Sequence, residues 1–137
     1  MKRIVDPGAR FVPVCEEKLG FLERELGFRR HVVDGTAVLY EGERTAVRVE
    51  LAPRDDEVCV WLVRLVDGKL PPVFAYAPSH WIPLDELEPG LRYHRRMWGE
   101  RFSEEELDRT LHMAASALHR NEEVLRGDHE IFERHHR

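Results

Sequence analysis

The sequence contains only two cysteines, and they form no pattern that is typical of a metal site or a disulfide framework. Cys15 and Cys59 lie far apart and belong to no CxxC motif. Small disulfide-stabilised domains and zinc-binding modules need several cysteines at close spacings. We therefore expect two buried, reduced thiols in a cytoplasmic protein, with no metal and no cofactor bound.

Long apolar runs are also missing. A helix that spans a bilayer needs about 20 consecutive apolar residues, and no stretch of this chain approaches that length. The N-terminal residues MKRIVDPG lack the apolar core of a secretory signal. These absences predict a soluble cytoplasmic protein that makes no contact with a membrane.

The common catalytic motifs do not occur in this sequence. It has no G-x-S-x-G nucleophile motif, no Walker phosphate loop, no G-x-G-x-x-G and no H-E-x-x-H. Acid–base catalysis needs only two well-placed carboxylates, however, and the chain has 26 Asp and Glu residues. A non-enzymatic role is favoured, and an enzymatic role stays open.

Acidic residues outnumber basic ones, which gives a net charge of −5 with neutral histidines. Nucleic acids and anionic membranes are bound mainly through a basic field, so neither is an expected partner. An acidic surface favours the electrostatic capture of a basic protein. We therefore expect a protein partner, and a basic one fits the charge.

The clearest structural signal is a series of short β-type runs, separated by turn residues, between Phe28 and Phe74. Asp-Gly pairs at 34–35 and 67–68 predict two-residue type I′ turns, which need positive φ at both central residues. The third run alternates, as a strand with one covered face does, whereas the fourth is apolar on both faces. The predicted strands are 28–33, 37–41, 45–51 and 58–65, with a weaker fifth at 73–75 that Pro71 and Pro72 restrict to an edge.

Helical periodicity flanks these strands on both sides. A first helix is predicted over 14–26 and ends at Gly27. A last long helix begins at the Ser103–Glu106 capping box and ends at Gly127, and its core-facing seam consists of Leu107, Leu111, Ala114, Leu118 and Leu125. The sequence thus predicts one α+β domain over residues 1–137, an antiparallel four- to five-stranded meander packed by an N-terminal helix and a long C-terminal helix, with residues 1–13 as an irregular arm.

Two aromatic-rich segments between the sheet and the last helix are candidate binding sites. Tyr76, His80 and Trp81 follow the sheet, where loops often carry function. A second cluster interleaves aromatic and basic side chains, as an anion-binding surface does, and comprises Tyr93, Arg95, Arg96 and Trp98. Both segments also fit ordinary packing, over a sheet edge or beneath the last helix. The pattern assigns no catalytic residue.

The last helix also carries a polar stripe formed by Asp108, His112, His119 and Glu123. Two helical turns, about 10 Å, separate the histidines, which is too far for them to share one metal ion. We interpret the stripe as a solvated charged face.

An apolar flank of the same helix predicts a homodimer. Met113, Ala117 and Val124 lie beside the seam, and an uncovered apolar stripe usually marks an interface. This flank, or an edge strand near Pro71-Pro72, would meet the symmetry mate. The alternative is that the first helix or the 91–102 segment covers the flank within one chain.

The segments FLERELGF (21–28), AVLYE (37–41) and VRV (47–49) resemble those of a loose group of small uncharacterised bacterial proteins. In that group a helix ending in Gly-Phe leads into a meander that closes on a helix. The ending VLRGD (124–128), followed by Ile131 and Phe132, resembles the tail of the group. Some members resemble immunity proteins of bacterial toxin systems. The resemblance covers most of the chain, implies a toxin-binding role, and transfers no catalytic residue.

Two functions follow as hypotheses. The first is a non-enzymatic, immunity-like protein-binding module. The alternative is a small-ligand binder or an enzyme, with its pocket between the sheet and the 76–98 segment. Aromatic side chains would form the walls of that pocket, with an anion contact from Arg95 or Arg96: Trp61, Tyr76, Trp81, Tyr93 and Trp98.

Overall fold

The structure of the chain is a computed structural model. It describes residues 7–52, 57–71, 80–88 and 104–135. The helices and strands follow one another along the chain as α1 (Pro7–Leu19), α2 (Phe21–Arg24), β1 (Arg29–Asp34), β2 (Ala37–Glu41), β3 (Thr45–Ala52), β4 (Glu57–Arg64), β5 (Trp81–Pro83), α3 (Leu84–Leu87), α4 (Glu104–Arg120), α5 (Glu122–Leu125) and α6 (Glu130–His135).

The five strands form one antiparallel sheet in the order β1-β2-β3-β4-β5, with helices packed on it. This confirms the predicted α+β fold class. The longest pairing joins β3 to β4 and runs from Thr45↔Arg64 to Ala52↔Glu57. The fifth strand lies at Trp81–Pro83, in a segment without a strand prediction, whereas the predicted fifth strand at 73–75 is outside the described residues.

Strand β4 is covered on both faces, as its sequence predicts. Val58, Val60 and Leu62 are at most 2% exposed and belong to the main core, which lies between the sheet and the helices. Val63 points to the opposite face and packs in a second, smaller apolar cluster with Leu39, Ala46, Leu65 and Trp81. β4 thus has apolar residues buried on both faces, and it lies between β3 and the short strand β5.

The two Asp-Gly pairs form different turns. Asp67 and Gly68 have φ values of 52° and 74°, so the predicted type I′ turn is confirmed there. At Asp34-Gly35 the prediction was wrong, because Gly35 is outside the left-handed region. The Asp34 carboxylate instead accepts hydrogen bonds from the Thr36 backbone N–H (2.7 Å) and hydroxyl (2.8 Å), which stabilise another turn.

The N-terminal helix begins at Pro7, and residues 1–6 are outside the described part of the chain. The prediction of an irregular arm over residues 1–13 was therefore wrong for residues 7–13. The reason is Phe11, which is fully buried and extends the apolar stripe of α1 towards its start. Helical structure is interrupted at Gly20, and α2 follows. The chain then turns at Gly27, with φ of 73° and a hydrogen bond from its N–H to the Glu23 carbonyl oxygen, as the sequence predicts.

The last predicted helix is interrupted at Asn121, which separates α4 from α5. The Asn121 side-chain amide donates to the Ala117 carbonyl oxygen at 2.8 Å and to a Glu88 carboxylate oxygen at 3.3 Å. This competition with backbone hydrogen bonding explains the break. Gly127 ends α5 with φ of 112°, as predicted. The α4 helix begins at Glu104, and the predicted cap Ser103 is outside the described residues.

The seam of the last helix is confirmed, because every residue predicted for it is at most 2% exposed: Leu107, Leu111, Ala114, Leu118 and Leu125. The flank that was predicted to form a homodimer interface is mostly buried within the chain. Ala117 and Val124 are buried within the chain, while Met113 is 37% exposed. Since α1 packs along α4, the flank offers no continuous apolar stripe for a second copy. The homodimer stays a prediction without support from this flank.

None of the helices in the described part of the chain combines the length and the apolar character needed to cross a membrane.

Replacing a seam residue should destabilise the fold far more than replacing an exposed residue of the same helix. Leu118→Ala leaves a cavity at a fully buried position and is expected to lower the free energy of unfolding by about 2–5 kcal/mol. The matched control, Met113→Ala, should cost below about 1 kcal/mol. Urea unfolding of both variants measures the difference, and equal losses would contradict the assignment of the seam.

Candidate functional site

Two of the predicted site residues, His80 and Trp81, lie together where the chain enters β5. The other five are outside the described residues, so their grouping stays a prediction: Tyr76, Tyr93, Arg95, Arg96 and Trp98. The structure places His80 and Trp81 beside β4, because β5 pairs with β4 through Val63↔Trp81.

Trp81 packs on the smaller apolar face of the sheet. It is 5% exposed, and its ring meets that of Trp61 edge to face, with the centroids 6.1 Å apart. The Trp81 indole nitrogen is buried and has no hydrogen-bond acceptor among the described residues. Trp61 is half-buried beside this cluster. Both tryptophans therefore contribute to packing, and the Trp81 indole N–H has no acceptor within the described part of the chain.

His80 is bound to Arg64, a residue that sequence analysis did not single out. The Arg64 Nε–H donates to His80 Nδ1 at 3.2 Å. His80 Nδ1 therefore acts as an acceptor, and the neutral ring carries its proton on Nε2. Burial and the nearby positive charge of Arg64 lower the pKa of His80.

Arg64 also reaches the C-terminal helix. Its guanidinium lies 5.6 Å from the ring centroid of Phe132, which is fully buried, and 4.0 Å from the Glu133 carboxylate. One side chain on β4 thus contacts the start of β5 and helix α6. We call Arg64, His80, Phe132 and Glu133 the arginine junction.

Thr45 and His129 join the beginning of β3 to the chain between α5 and α6. The Thr45 hydroxyl is buried and donates its single hydrogen to the Val124 carbonyl oxygen at 2.9 Å. His129 Nε2 lies 2.8 Å from the same hydroxyl oxygen, so His129 must be the donor in that bond. The neutral ring consequently has its proton on Nε2.

This proton arrangement argues against a nucleophilic threonine. A general base would accept the hydroxyl hydrogen, whereas His129 donates to the hydroxyl oxygen and Thr45 donates to a backbone carbonyl. Burial, with Arg44 and Arg64 nearby, lowers the pKa of His129, while Asp128 acts in the opposite direction. The Thr45–His129 contact therefore holds the C-terminal segment on the sheet.

The polar stripe of α4 is largely a solvated surface, as predicted. Asp108 pairs with Lys18 of α1 at 3.3 Å, and the exposed His119 ring stacks on Phe21 at a centroid distance of 3.8 Å.

Within residues 7–52, 57–71, 80–88 and 104–135, no group of three His, Cys, Asp or Glu side chains is arranged to hold a metal ion. Cys15 is buried as predicted, whereas Cys59 is only partly buried, so the expectation of two buried thiols was wrong for Cys59. Burial raises the pKa of Cys15 to about 12, so its thiol stays protonated at neutral pH.

Strand β1 is an edge of the sheet, and most of its surface is exposed. Its adjacent Val32 and Val33 are 50% and 51% exposed. Its cations are paired with neighbouring carboxylates: Arg29 lies 3.2 Å from Glu41, and Arg30 contacts Glu16 and Glu23. A shift in the β1–β2 register occurs between Val32 and Asp34. The sequence pattern predicts this strand but gives no sign that its valines are exposed.

Comparison of the chain with known protein families, with curated proteins and with solved structures found no match.

The free energy of unfolding should decrease as the pH is lowered from about 7 to about 5. The folded-state pKa values of His80 and His129 lie below the ordinary value of 6.5, so the unfolded chain binds more protons at low pH. The stability from the neutral rings is present above about pH 6.5 and is lost as the pH falls through the folded-state pKa values.

Urea unfolding across this pH range measures the slope, which is how steeply the free energy of unfolding depends on pH. The double variant His80→Asn/His129→Asn should flatten it, whereas His112→Asn, at an exposed position, should not. A double variant with the full slope would contradict this assignment.

Removing the Thr45 hydroxyl should destabilise the contact between β3 and the C-terminal segment. Thr45→Val leaves the Val124 carbonyl and the His129 Nε2–H without a partner and is expected to cost about 1–3 kcal/mol. Thr45→Ser keeps the hydroxyl and should therefore retain most of the stability that Thr45→Val loses. If both variants unfold at the same urea concentration, the hydrogen bonds are not the cause.

Proposed function

We propose that this protein is a non-enzymatic protein-binding module whose partner adds an extended segment to the free edge of β1. The observation that carries this proposal is the adjacent pair Val32 and Val33, each half exposed on an edge strand. Single exposed apolar residues are common, but an apolar pair on an edge strand is a typical site of strand addition.

The register of β1 decides how the two valines would contact a partner. Val32 is paired with Val38, whereas Val33 lies at the register shift and has no partner in β2. Because a bulge interrupts the regular alternation of faces, an added segment would contact Val32 in the regular part of the strand and Val33 at its irregular end. The backbone N–H and C=O groups on the outer edge of β1, which pair with no other described strand, would supply hydrogen bonds of the same kind as those that join β1 to β2.

Charge favours a basic partner for this edge. Because Arg29 and Arg30 are already paired with carboxylates, the cations of β1 add little positive field of their own. The chain carries a net charge of −5, which favours the approach of a cationic protein. Together with the resemblance described above, this supports an immunity-like role in which a cytoplasmic bacterial protein captures a basic toxin.

Small-ligand binding beside β5 is a second candidate function. Trp81 favours it, because its indole N–H is buried without an acceptor among the described residues, and a ligand could supply one. A thermal-shift screen with metabolites and nucleotides tests this alternative. A ligand present at 100 times its dissociation constant stabilises a protein by about 2.7 kcal/mol.

The proposed function predicts that substitutions on β1 weaken partner binding. Val32→Lys/Val33→Lys places two charges on the edge and removes its apolar surface, so affinity for a partner purified from the source cells should fall about tenfold or more. Val66→Lys is the matched control, since Val66 is an exposed valine (42%) outside β1. Titration calorimetry with the purified partner measures all three proteins.

Two outcomes would contradict the proposal. One is equal affinity of the β1 double variant and the Val66→Lys control for the partner. The other is a homodimer, detected by light scattering, that the β1 substitutions convert to a monomer, because the edge would then be occupied by a second copy of the chain.

A further inference from the structure

An open cleft of about 750 Å³ lies at the end of the sheet where β1 begins and the loop between β2 and β3 turns. Its walls come from the connection between α2 and β1, from residues 41–44, from the turn at Gly68 and from the end of α5. No residue of the arginine junction lines it. The cleft also lies away from the valine pair of β1, although Arg29 belongs to both the strand and the cleft.

Apolar side chains and glycines form part of this cleft. Phe28 and Leu125 line it and are otherwise buried in the main core, at 7% and 2% exposure. Gly42 also lines it, and a Cβ at that position would lie 2.6 Å from the Phe28 ring. The glycine thus permits the loop to pass close to the ring.

Charged side chains of both signs line the cleft. Arg29, Arg44 and Arg126 are the cations, and Glu41 and Glu43 are the carboxylates. Since Glu122 balances Arg126 beside the cleft, an anion would be held by an individual unpaired arginine and not by a positive field.

Arg44 is the cation that is available to a ligand. Arg29 is paired with Glu41, and Arg126 lies 3.5 Å from Glu122. Arg44 has no carboxylate partner among the described residues. Its side chain lies over Gly127, where an added Cβ would be 3.0 Å from the Arg44 Cδ atom. The glycine therefore lets the arginine lie against the end of α5.

We infer that this cleft binds a small organic anion, in which a carboxylate pairs with Arg44 and an aromatic body contacts the part of the Phe28 ring that faces the cleft. A guanidinium matches a carboxylate with two parallel hydrogen bonds, and because much of the lining is polar, this ion pair would be the main source of affinity. The inference goes beyond the proposed protein-binding function, because it concerns a different surface and ligand.

His129 provides an independent reporter of such binding. The positive charge of Arg44 is one cause of the lowered pKa of His129, after burial. A carboxylate bound to Arg44 offsets that charge, so the pKa of His129 should rise towards its ordinary value when the cleft is occupied.

Titration of the full chain with benzoate, followed by the backbone amide signals of Gly27, Gly42 and Gly68, tests the inference. Benzoate is expected to shift these three signals in a saturable manner, whereas its neutral analogue benzamide should bind at least about tenfold more weakly. Arg44→Gln should weaken benzoate binding by a similar factor. Arg109→Gln removes the same charge from an exposed position outside the cleft and should leave binding unchanged.

Three results would overturn the inference: benzoate shifts none of the glycine signals, benzamide binds as well as benzoate, or Arg44→Gln binds like the wild-type protein. If Arg44→Gln does not fold, Arg44→Lys keeps the charge without the planar fork and is expected to retain weaker binding. The pKa of His129, measured from its ring proton signals with and without benzoate, gives the second readout, and an unchanged value at saturation would also overturn the inference.

Discussion

Strand β4 must be covered on both faces, and the rest of the structure depends on this requirement. Val58, Val60 and Leu62 can be removed from water only if the helices pack on one face of the sheet. Val63 needs a second cover on the opposite face, which Trp81 supplies from β5. A sheet with β4 near its centre, helices on one side and a smaller apolar cluster on the other satisfies both demands.

The same requirement separates a closed part of the sheet from an open part. Around β4, the contacts of Arg64 and the Thr45–His129 bond hold the C-terminal segment in place. At the opposite edge, β1 has a neighbour on one side within the described residues and exposes Val32 and Val33. A protein that stabilises its centre in this way can leave an edge available for recognition without loss of its core.

The sequence predicted those features that depend on neighbouring residues, and it missed those that depend on distant ones. Apolar residues on both faces of β4 and the turn at Asp67-Gly68 are local patterns, and both were confirmed. Strand β5 was missed because a three-residue strand ending in Pro83 has no periodicity to recognise. His80 was a candidate residue, but the Thr45–His129 contact joins residues 84 positions apart, and only the tertiary fold brings them together.

Hydrogen exchange of the protein without a partner tests most directly the claim that β1 is an open edge while β4 is the closed centre. Amide protons in an unpaired edge exchange through small local fluctuations, whereas those of a central strand need larger opening. We predict that the amides of β1 that point away from β2 exchange much faster than those of residues 61–63 of β4, which lie between β3 and β5. Equally slow exchange in β1 and β4 would contradict the account, since it would mean that the β1 edge is already covered.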